Sequence, residues 1–359
     1  MLIGIETNLA FIISRVLSLK IPCFLSSDRL REDAEMSTFY KTFGYIFHME
    51  VDLYNAGNIL FCDELQLKTT NGLSPVSRIA GHFWRFGYVE DVGTSAKFNI
   101  ITGFVQLSPS KVVVADNSNH CLRIVDRETN RTAPLVGNCT IHGYEDGTQA
   151  LFNYPWSVFK DIKDPTHILV SEHGNQVVRS INTNTLTVST LFSFGPSIFW
   201  GIAQDPKSGD LYVTYRHSYQ IDKYDYLAKE IKAVFQPATN HNEATEPPSL
   251  NTAFFEYPIE MTFLLKNMII GAERKKHRLR VLDLETNTTT TICSGTKGRE
   301  DGNLTHCELH NPHSVLMVND SLFVGEATGG IRLVKCKSTS MAWKKKLIDL
   351  MEYKIKQML

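Results

Sequence analysis

The hydrophobic positions of this chain fall into short runs that end at a polar turn. Such runs occupy residues 59–63, 112–116, 168–172, 211–215, 268–273 and 322–326, and most of them close on Asp or Glu. They are rich in Val, Ile, Leu, Thr and Phe and are separated by Gly, Asn, Asp and Pro, which is typical of strands and turns. The pattern therefore predicts an all-β fold.

The runs belong to a repeat. Residues 120–132 and 277–289 are identical at most positions, although they lie in distant parts of the chain. A second landmark, Gly-Tyr-Glu-Asp-Gly at 143–147, has relatives at 87–93 and 298–302. The landmarks divide the chain into six units, 43–78, 79–135, 136–192, 193–235, 236–292 and 293–337. A unit of this length with about four short strands is the blade of a β-propeller.

We therefore predict a six-bladed β-propeller over 43–337, with four-stranded blades and short segments outside the repeat at both ends. The fourth unit lacks the Glu-Asp-Gly segment, so the loop that leads into its blade should be short. No fourth strand is evident after Cys336. Blade 6 should therefore take its outer strand from the segment before residue 43, or lack one.

The repeat resembles a known family. The segment Val-Ala-Asp-Asn-Ser-Asn-His-Cys-Leu-Arg-Ile at 114–124 is similar to the NHL repeat, and 137–155 looks like animal extracellular NHL-repeat proteins. The resemblance covers about 79–335 and is strongest over 110–192. It implies an NHL-like six-bladed propeller but little about activity, because this fold hosts scaffolds, receptors, lyases and lactonases. Blade 4 departs from the pattern, with Tyr215-Arg216-His217 in place of Asp-x-x-Asn-His.

Composition agrees with one large domain. The chain has 359 residues, of which 43% are hydrophobic, and a net charge of −1. Because no Arg- and Lys-rich face is visible, the charge argues against nucleic acid as a partner. No apolar stretch reaches the roughly eighteen residues of a transmembrane helix, so none is predicted.

The two ends lie outside the repeat. Residues 1–42 form an N-terminal segment whose apolar stretch suits either a secretory signal or a helix packed on the propeller. Residues 338–359 are predicted to form a basic amphipathic helix. Packing of its apolar stripe, within 342–359, on blade 6 or a neighbour is favoured over peripheral contact with a membrane surface.

Cysteines and glycosylation sequons point to an extracellular or secretory location. Cys121 with Cys139, and Cys293 with Cys307, would close short loops beside turns, as disulfides of an oxidising compartment do. A third bond between Cys62 and Cys336 is open, and Cys23 is left over. Five Asn-x-Ser/Thr sequons, all in predicted turns, mark candidate glycosylation sites at Asn130, Asn138, Asn287, Asn303 and Asn319.

Candidate channel residues come from the repeat itself. Asp116, Glu172 and Glu326 recur at the end of an apolar run, and would ring one mouth of the central channel if they pointed inward. Capping of backbone N–H groups by these acids is the favoured alternative. His313 lies at the predicted start of an innermost strand and is the best candidate for a histidine that faces the channel. No His, Asp or Glu cluster has metal-ligand spacing, so no metal site is assigned.

Candidate binding residues lie in the loops that lead into blades 2 and 3. Trp84, Phe86 and His142 place aromatic groups next to charge, as protein interfaces do. Tyr88 and Tyr144 recur at one repeat position, which favours a packing role, whereas Trp84 and Phe86 do not recur.

No hydrolase, metalloprotease or nucleotide-binding motif is present. We therefore expect a non-catalytic extracellular interaction module that presents its loops to a protein or glycan partner and needs no cofactor. The alternative, by analogy of fold, is a propeller lyase or lactonase with a divalent ion, Ca²⁺ or Zn²⁺, on the propeller axis.

Overall fold

The protein forms a six-bladed β-propeller, which confirms the predicted fold class. The computed structural model describes residues 34–40, 45–73, 75–193, 195, 199–215, 220–235, 258–265, 267–286, 288–318, 321–327 and 330–336. Each blade is an antiparallel sheet whose strands follow one another outward from the axis, and we call them the inner, second, third and outer strands.

Blades 1 to 3 follow the predicted units. Blade 1 contains β2 (Ile46–Val51), β3 (Ile59–Asp63), β4 (Gln66–Thr70) and β5 (Ser77–Ala80). Blade 2 contains β6 (Ile101–Ser108), β7 (Lys111–Asp116), β8 (Cys121–Asp126) and β9 (Arg131–Val136). Blade 3 contains β10 (Pro155–Lys160), β11 (His167–Glu172), β12 (Val177–Asn182) and β13 (Val188–Ser193).

Blades 4 to 6 complete the ring. Blade 4 contains β14 (Phe199–Gln204), β15 (Leu211–Tyr215), β16 (Ile221–Asp225) and β17 (Glu230–Phe235). Blade 5 contains β18 (Pro258–Leu265), β19 (Met268–Glu273), β20 (Arg278–Asp283) and β21 (Thr288–Ile292). Blade 6 contains β23 (Pro312–Val318), β24 (Ser321–Glu326), β25 (Gly330–Cys336) and β1 (Ala34–Tyr40), with the short β22 (Gly302–Asn303) at its edge.

The second strands are the apolar runs seen in the sequence. They are buried along nearly their whole length, because a neighbouring blade covers each face of the sheet. The core lies between blades: Val113 of blade 2 and Val158 and Val170 of blade 3 belong to one hydrophobic cluster. Burial on both faces explains why these runs do not alternate between apolar and polar residues.

The ring closes between the two ends of the repeat region. β1 pairs antiparallel with β25 from Ala34↔Cys336 to Tyr40↔Ile331. The segment before residue 43 therefore supplies the outer strand of blade 6, which was one of the two possibilities that the sequence left open. This pairing joins residues that are far apart in the chain and so closes the ring.

The Glu-Asp-Gly segments seal outer strands. Gly302 pairs with Met36 of β1, and Gly147 exchanges backbone hydrogen bonds with Val188 of β13. Gly93 donates its N–H to the carbonyl of Asn130 beside β9. An uncovered outer strand would offer its backbone to another chain, so the motif recurs because it protects edges.

Candidate functional site

The three acids proposed for the channel mouth lie inside their blades. Asp116, Glu172 and Glu326 end the second strands of blades 2, 3 and 6 and have no exposed surface. Each carboxylate accepts a 2.7 Å hydrogen bond from a backbone N–H of the loop that leads into its blade. Each also faces a buried arginine of the third strand.

That arginine links the acid to the loop. In blade 3, Nη1 of Arg179 lies 2.8 Å from Glu172 Oε1 and 3.3 Å from the carbonyl oxygen of Leu151. Its Nη2 donates to the carbonyl of Glu145 at 2.5 Å. Arg123 and Arg332 make the corresponding bonds in blades 2 and 6. The recurring acid and arginine therefore fasten the loop to its blade.

The recurring tyrosines belong to the same arrangement. The guanidinium carbon of Arg123 lies 4.9 Å from the ring centre of Tyr88, and that of Arg179 lies 5.2 Å from Tyr144. Contacts of this kind hold the ring against the cation. Burial raises the pKa of Glu172 to about 7, although Arg179 and two hydrogen-bond donors act against that rise.

A different set of residues lines the axis. In every blade the first residue of the inner strand pairs with the last residue of the second strand. The second residues of the six inner strands are therefore structurally equivalent. These six equivalent residues are Phe47, Thr102, Trp156, Trp200, Ile259 and His313. Their side chains differ widely, in contrast to the repeated acids and arginines.

Aromatic rings gather at this level. We call the group formed by Tyr45, Phe47, Trp156, His173, Trp200 and His313 the aromatic tier. Trp156 lies nearly parallel to His173, with ring centres 4.2 Å apart, and to Trp200, at 6.3 Å. Phe47 meets Trp156 edge-on, with ring centres 5.8 Å apart, and also contacts His313. It therefore links the rings of Trp156, His173 and Trp200 to those of Tyr45 and His313.

His313, the predicted channel histidine, is a packed member of this tier. It is 1% exposed, and the rings of Tyr45 and Phe47 approach it edge-on at 4.9 and 5.5 Å. Its Nδ1 donates to the carbonyl of Asn311 at 2.9 Å. Burial lowers the pKa of His313 to about 3, so the ring is neutral at physiological pH.

A polar tier lies deeper along the inner strands. His48 of blade 1 and Glu260 of blade 5 come one residue after the aromatic tier, and Glu50 of blade 1 and Gln106 of blade 2 lie further along their strands. His48 Nδ1 is hydrogen-bonded to Glu260 Oε1, and its Nε2 lies 3.8 Å from Glu50. Glu260 Oε2 accepts from the N–H of Val315 at 3.1 Å, and Glu50 accepts from Gln106 Nε2 at 2.7 Å.

The polar tier carries charge. Burial alone would disfavour the imidazolium, but the carboxylates of Glu260 and Glu50 raise the pKa of His48 to about 10. The repeat gives no sign of this tier, because the residues equivalent to His48 and Glu260 are Gly103, Ser157, Gly201 and Ser314. In the described part of the chain, no group of three or more His, Cys, Asp or Glu residues could hold a metal ion.

The predicted loop residues form a separate surface. The side chains of Trp84 and Phe86 are 76% and 72% exposed. Their loop is fixed at Gly87, whose carbonyl accepts from Asn119 Nδ2 at 3.0 Å. His120, which follows Asn119, packs against the exposed rings of His142 and Tyr154, with ring centres 5.3 and 4.5 Å apart. We call the exposed residues of this surface, Phe83, Trp84, Phe86, His142 and Tyr154, the loop surface.

Both predicted disulfides are formed. Cys121–Cys139 and Cys293–Cys307 have Cα separations of 4.9 and 4.6 Å. Cys62 is a free, buried thiol, so the third bond considered for it is not made. Two disulfides in one domain indicate an oxidising environment.

Three predicted glycosylation sites can be located, and Asn130, Asn138 and Asn303 are all exposed. Asn287, Asn319, Cys23, the predicted N-terminal signal or helix and the C-terminal amphipathic helix lie outside the described residues. Within the described part of the chain, no helix is both long and apolar enough to span a membrane.

Comparison with known proteins identifies the fold. No family model matches the chain. A curated relative, the chloroplastic protein SUPPRESSOR OF QUENCHING 1 of Arabidopsis thaliana, is 22% identical over 284 residues, which make up 68% of this chain but 26% of that protein. The chain thus spans about a quarter of this relative's length.

Two solved structures share most of the chain. An auxiliary nutrient binding protein from Bacteroides thetaiotaomicron has a TM-score of 0.62 and 15% identity, over 85% of this chain and 77% of that one. The XC5397 gluconolactonase from Xanthomonas campestris has a TM-score of 0.59 and 10% identity, over 88% and 94%. At these identities the likeness establishes a six-bladed propeller fold, and this fold serves both binding proteins and enzymes.

Proposed function

We propose that the protein is an extracellular binding propeller of the NHL-repeat type, which contacts a protein or glycan partner through the loop surface. The observation that carries the proposal is the exposure of Trp84 and Phe86, 76% and 72%, on a loop whose backbone is fixed to blade 2. Large exposed aromatic side chains on a rigid scaffold are typical of interaction surfaces. The two disulfides support the extracellular assignment.

Of the two partner classes, the loop surface favours a protein. Tyr88 and Tyr144 contact buried arginines, whereas Trp84 and Phe86 point their rings at solvent and stabilise little in the isolated chain. Tryptophan dominates the energy of protein interfaces because it buries a large apolar area at little entropic cost. Arg85, which lies between them in the sequence, adds an exposed charge.

The test is capture of a partner from the extracellular fraction by cross-linking, followed by an affinity measurement with the isolated partner. The variant Trp84→Ala/Phe86→Ala should lose about thirtyfold or more in affinity, as expected for interface hot spots. Its thermal midpoint should stay within about 2 °C of wild type, because neither ring is buried.

A matched control uses apolar residues elsewhere that are even more exposed. Leu73 and Leu227 are 94% and 96% exposed in turns between third and outer strands, which lie on the opposite face of the propeller. Leu73→Ala/Leu227→Ala should bind the partner like wild type. Equal loss in both double variants would refute the loop surface as the contact, and unfolding of the first would show that its rings belong to the core.

The alternative is a lyase or lactonase with a divalent ion on the axis, and the similarity to the gluconolactonase fold is the reason to test it. The described residues do not offer the donor set such an ion needs. His48 and Glu260 bond to each other, and Glu50 is engaged by Gln106. Turnover of a lactone that appears with added Ca²⁺ or Zn²⁺ and is lost in Glu260→Gln would establish this alternative.

A further inference from the structure

We propose that the loop surface is controlled by pH, and that protonation of His120 in mildly acidic solution releases the bound protein partner. This inference rests on the proposed function, because it concerns the same surface, but the protonation step can be observed without the partner. It is carried by the hydrogen bond that His120 accepts, by its contact with a second histidine, and by a copy of this arrangement elsewhere in the ring.

The turn that ends at His120 touches both loops of the loop surface. On one side, Asn119 Nδ2 donates to the carbonyl of Gly87, in the loop that leads into blade 2. On the other side, the N–H of Tyr154, in the loop that leads into blade 3, donates to Nδ1 of His120 at 3.2 Å. The ring of His120 also packs on the rings of Tyr154 and His142. The turn therefore fixes the two loops relative to each other.

The hydrogen bond from Tyr154 requires a neutral imidazole at His120. A backbone N–H can only donate, so Nδ1 must offer a lone pair and the ring proton must lie on Nε2. Protonation places a second N–H on Nδ1, directly opposite the N–H of Tyr154. The attraction between the two groups then becomes a repulsion, and acid removes the bond that joins the turn to the loop leading into blade 3.

The groups that face His120 make its protonation more disruptive. The ring centre of His142 is 5.3 Å away, and two imidazolium rings at that distance repel each other. Tyr154 presents an uncharged ring, and the carboxylate of Asp116, at the start of the turn, is already paired with Arg123. Burial, and then His142, lower the pKa of His120 from its ordinary value of 6.5. The ring is therefore neutral at physiological pH and gains its proton in acid.

The same arrangement recurs between blades 5 and 6, so the neutral histidine is a property of the fold. His277 ends the equivalent turn and, like His120, has a left-handed backbone. Its Nδ1 accepts the N–H of Asn311 at 3.1 Å, and its ring centre lies 6.2 Å from that of His310. Burial, and then the charge of Lys297, lower the pKa of His277. This junction lies across the ring from the loop surface and therefore supplies a matched control.

The first experiment needs no partner. It is an NMR titration of the full chain with isotope-labelled histidine and tyrosine, from about pH 7.4 to about pH 5. At the upper pH the ring proton of His120 should lie on Nε2, and the amide signal of Tyr154 should shift as His120 is protonated. In His120→Asn the side-chain oxygen can accept the same bond, the left-handed backbone is tolerated, and nothing titrates. The shift of the Tyr154 amide should therefore disappear in this variant.

The second experiment measures the affinity for the isolated protein partner over the same pH range. Wild type should lose about tenfold at the acidic end, which is within the usual range for coupling between two sites. His120→Asn should lose less than about threefold. The control His277→Asn carries the same substitution in the equivalent turn, away from the loop surface, and should lose affinity in acid as wild type does.

A second variant keeps the test decisive if His120→Asn fails to fold. The ring of His142 is exposed, so His142→Gln should fold, and it removes the charge that faces His120. Its loss of affinity in acid should fall from about tenfold to about threefold.

Two results would overturn the proposal: an amide signal of Tyr154 that does not follow the protonation of His120, or partner binding with the same pH dependence in wild type, His120→Asn and His142→Gln. Failure of a different kind is recognised separately. If no partner binds the loop surface at any pH, the proposed function is wrong and release falls with it, whereas the NMR titration still decides whether acid breaks the bond between His120 and Tyr154.

Discussion

Replacing Arg179 by Met should destabilise the propeller strongly without altering its surface. Arg179 is fully buried, and its guanidinium bonds the carboxylate of Glu172 and the carbonyls of Glu145 and Leu151. Methionine keeps most of the packing of the stem but supplies no donor. The variant therefore removes the link between the third strand of blade 3 and the loop that covers its edge.

The size of the effect follows from what is left unpaired. Removing one partner of a buried ion pair costs about 3–5 kcal/mol, because the remaining charge has lost its compensation. Glu172 would keep only the donors of Asn153 and Asn175, both at 2.7 Å. We expect a loss of about 4 kcal/mol in the free energy of unfolding, which corresponds to roughly 8 °C in the thermal midpoint.

The assay is thermal unfolding of Arg179→Met, Glu172→Gln and the double variant, at several pH values. The double variant should be more stable than the sum of the single effects predicts, because the neutral amide introduced by Glu172→Gln leaves no buried charge behind. The folded-state pKa of Glu172, about 7, exceeds its ordinary value of 4.5. Arg179 lowers this pKa, so its removal should raise the pKa of Glu172 further. The penalty of the unpaired carboxylate is therefore full above that raised pKa and is relieved as pH falls from it towards 4.5.

A shift of less than about 2 °C in Arg179→Met, or strict additivity with Glu172→Gln, would refute this account of the repeat.

Three further predictions concern other parts of the molecule. The pKa of His48 rises from 6.5 to about 10 on folding. The protonated ring therefore stabilises the folded protein fully below pH 6.5, and this contribution is lost as pH rises through 10. His48→Gln should flatten the fall in thermal midpoint between these two pH values. Cys121→Ala/Cys139→Ala should cost about 3 kcal/mol, measured by denaturant unfolding, whereas a change below about 1 kcal/mol would contradict the loop-closure argument. Secreted protein should lose mass at Asn138 on enzymatic deglycosylation, and an unmodified peptide there would count against passage through the secretory pathway.

The sequence was sufficient for the fold because the repeat is explained by local requirements. Each apolar run is a second strand buried on both faces, and each Glu-Asp-Gly segment seals an outer strand. These needs recur in blade after blade, so the same residues recur at the same spacing. Closure by β1 was one of the two possibilities left by the missing fourth strand after Cys336.

The polar tier could not be found in the same way. His48 and Glu260 lie far apart in the chain, and each stands alone among equivalents that are Gly or Ser. Their meeting depends on the arrangement of blades around the axis, which no local pattern encodes. The acids that do recur, Asp116, Glu172 and Glu326, were candidates for the channel mouth. They are instead engaged in bonds within their own blades.

In this propeller, the residues that recur from blade to blade therefore have structural roles. A residue present in several blades is explained by what every blade needs, as Arg123, Arg179 and Arg332 show. A ligand, in contrast, breaks the symmetry of the ring and must be met by residues that differ between blades. Trp84, Phe86, His48 and Glu260 differ from their equivalents in the other blades. Because the side chains of Trp84 and Phe86 are largely exposed and are not required by the repeat, we expect substitutions there to affect the proposed partner before they affect the fold.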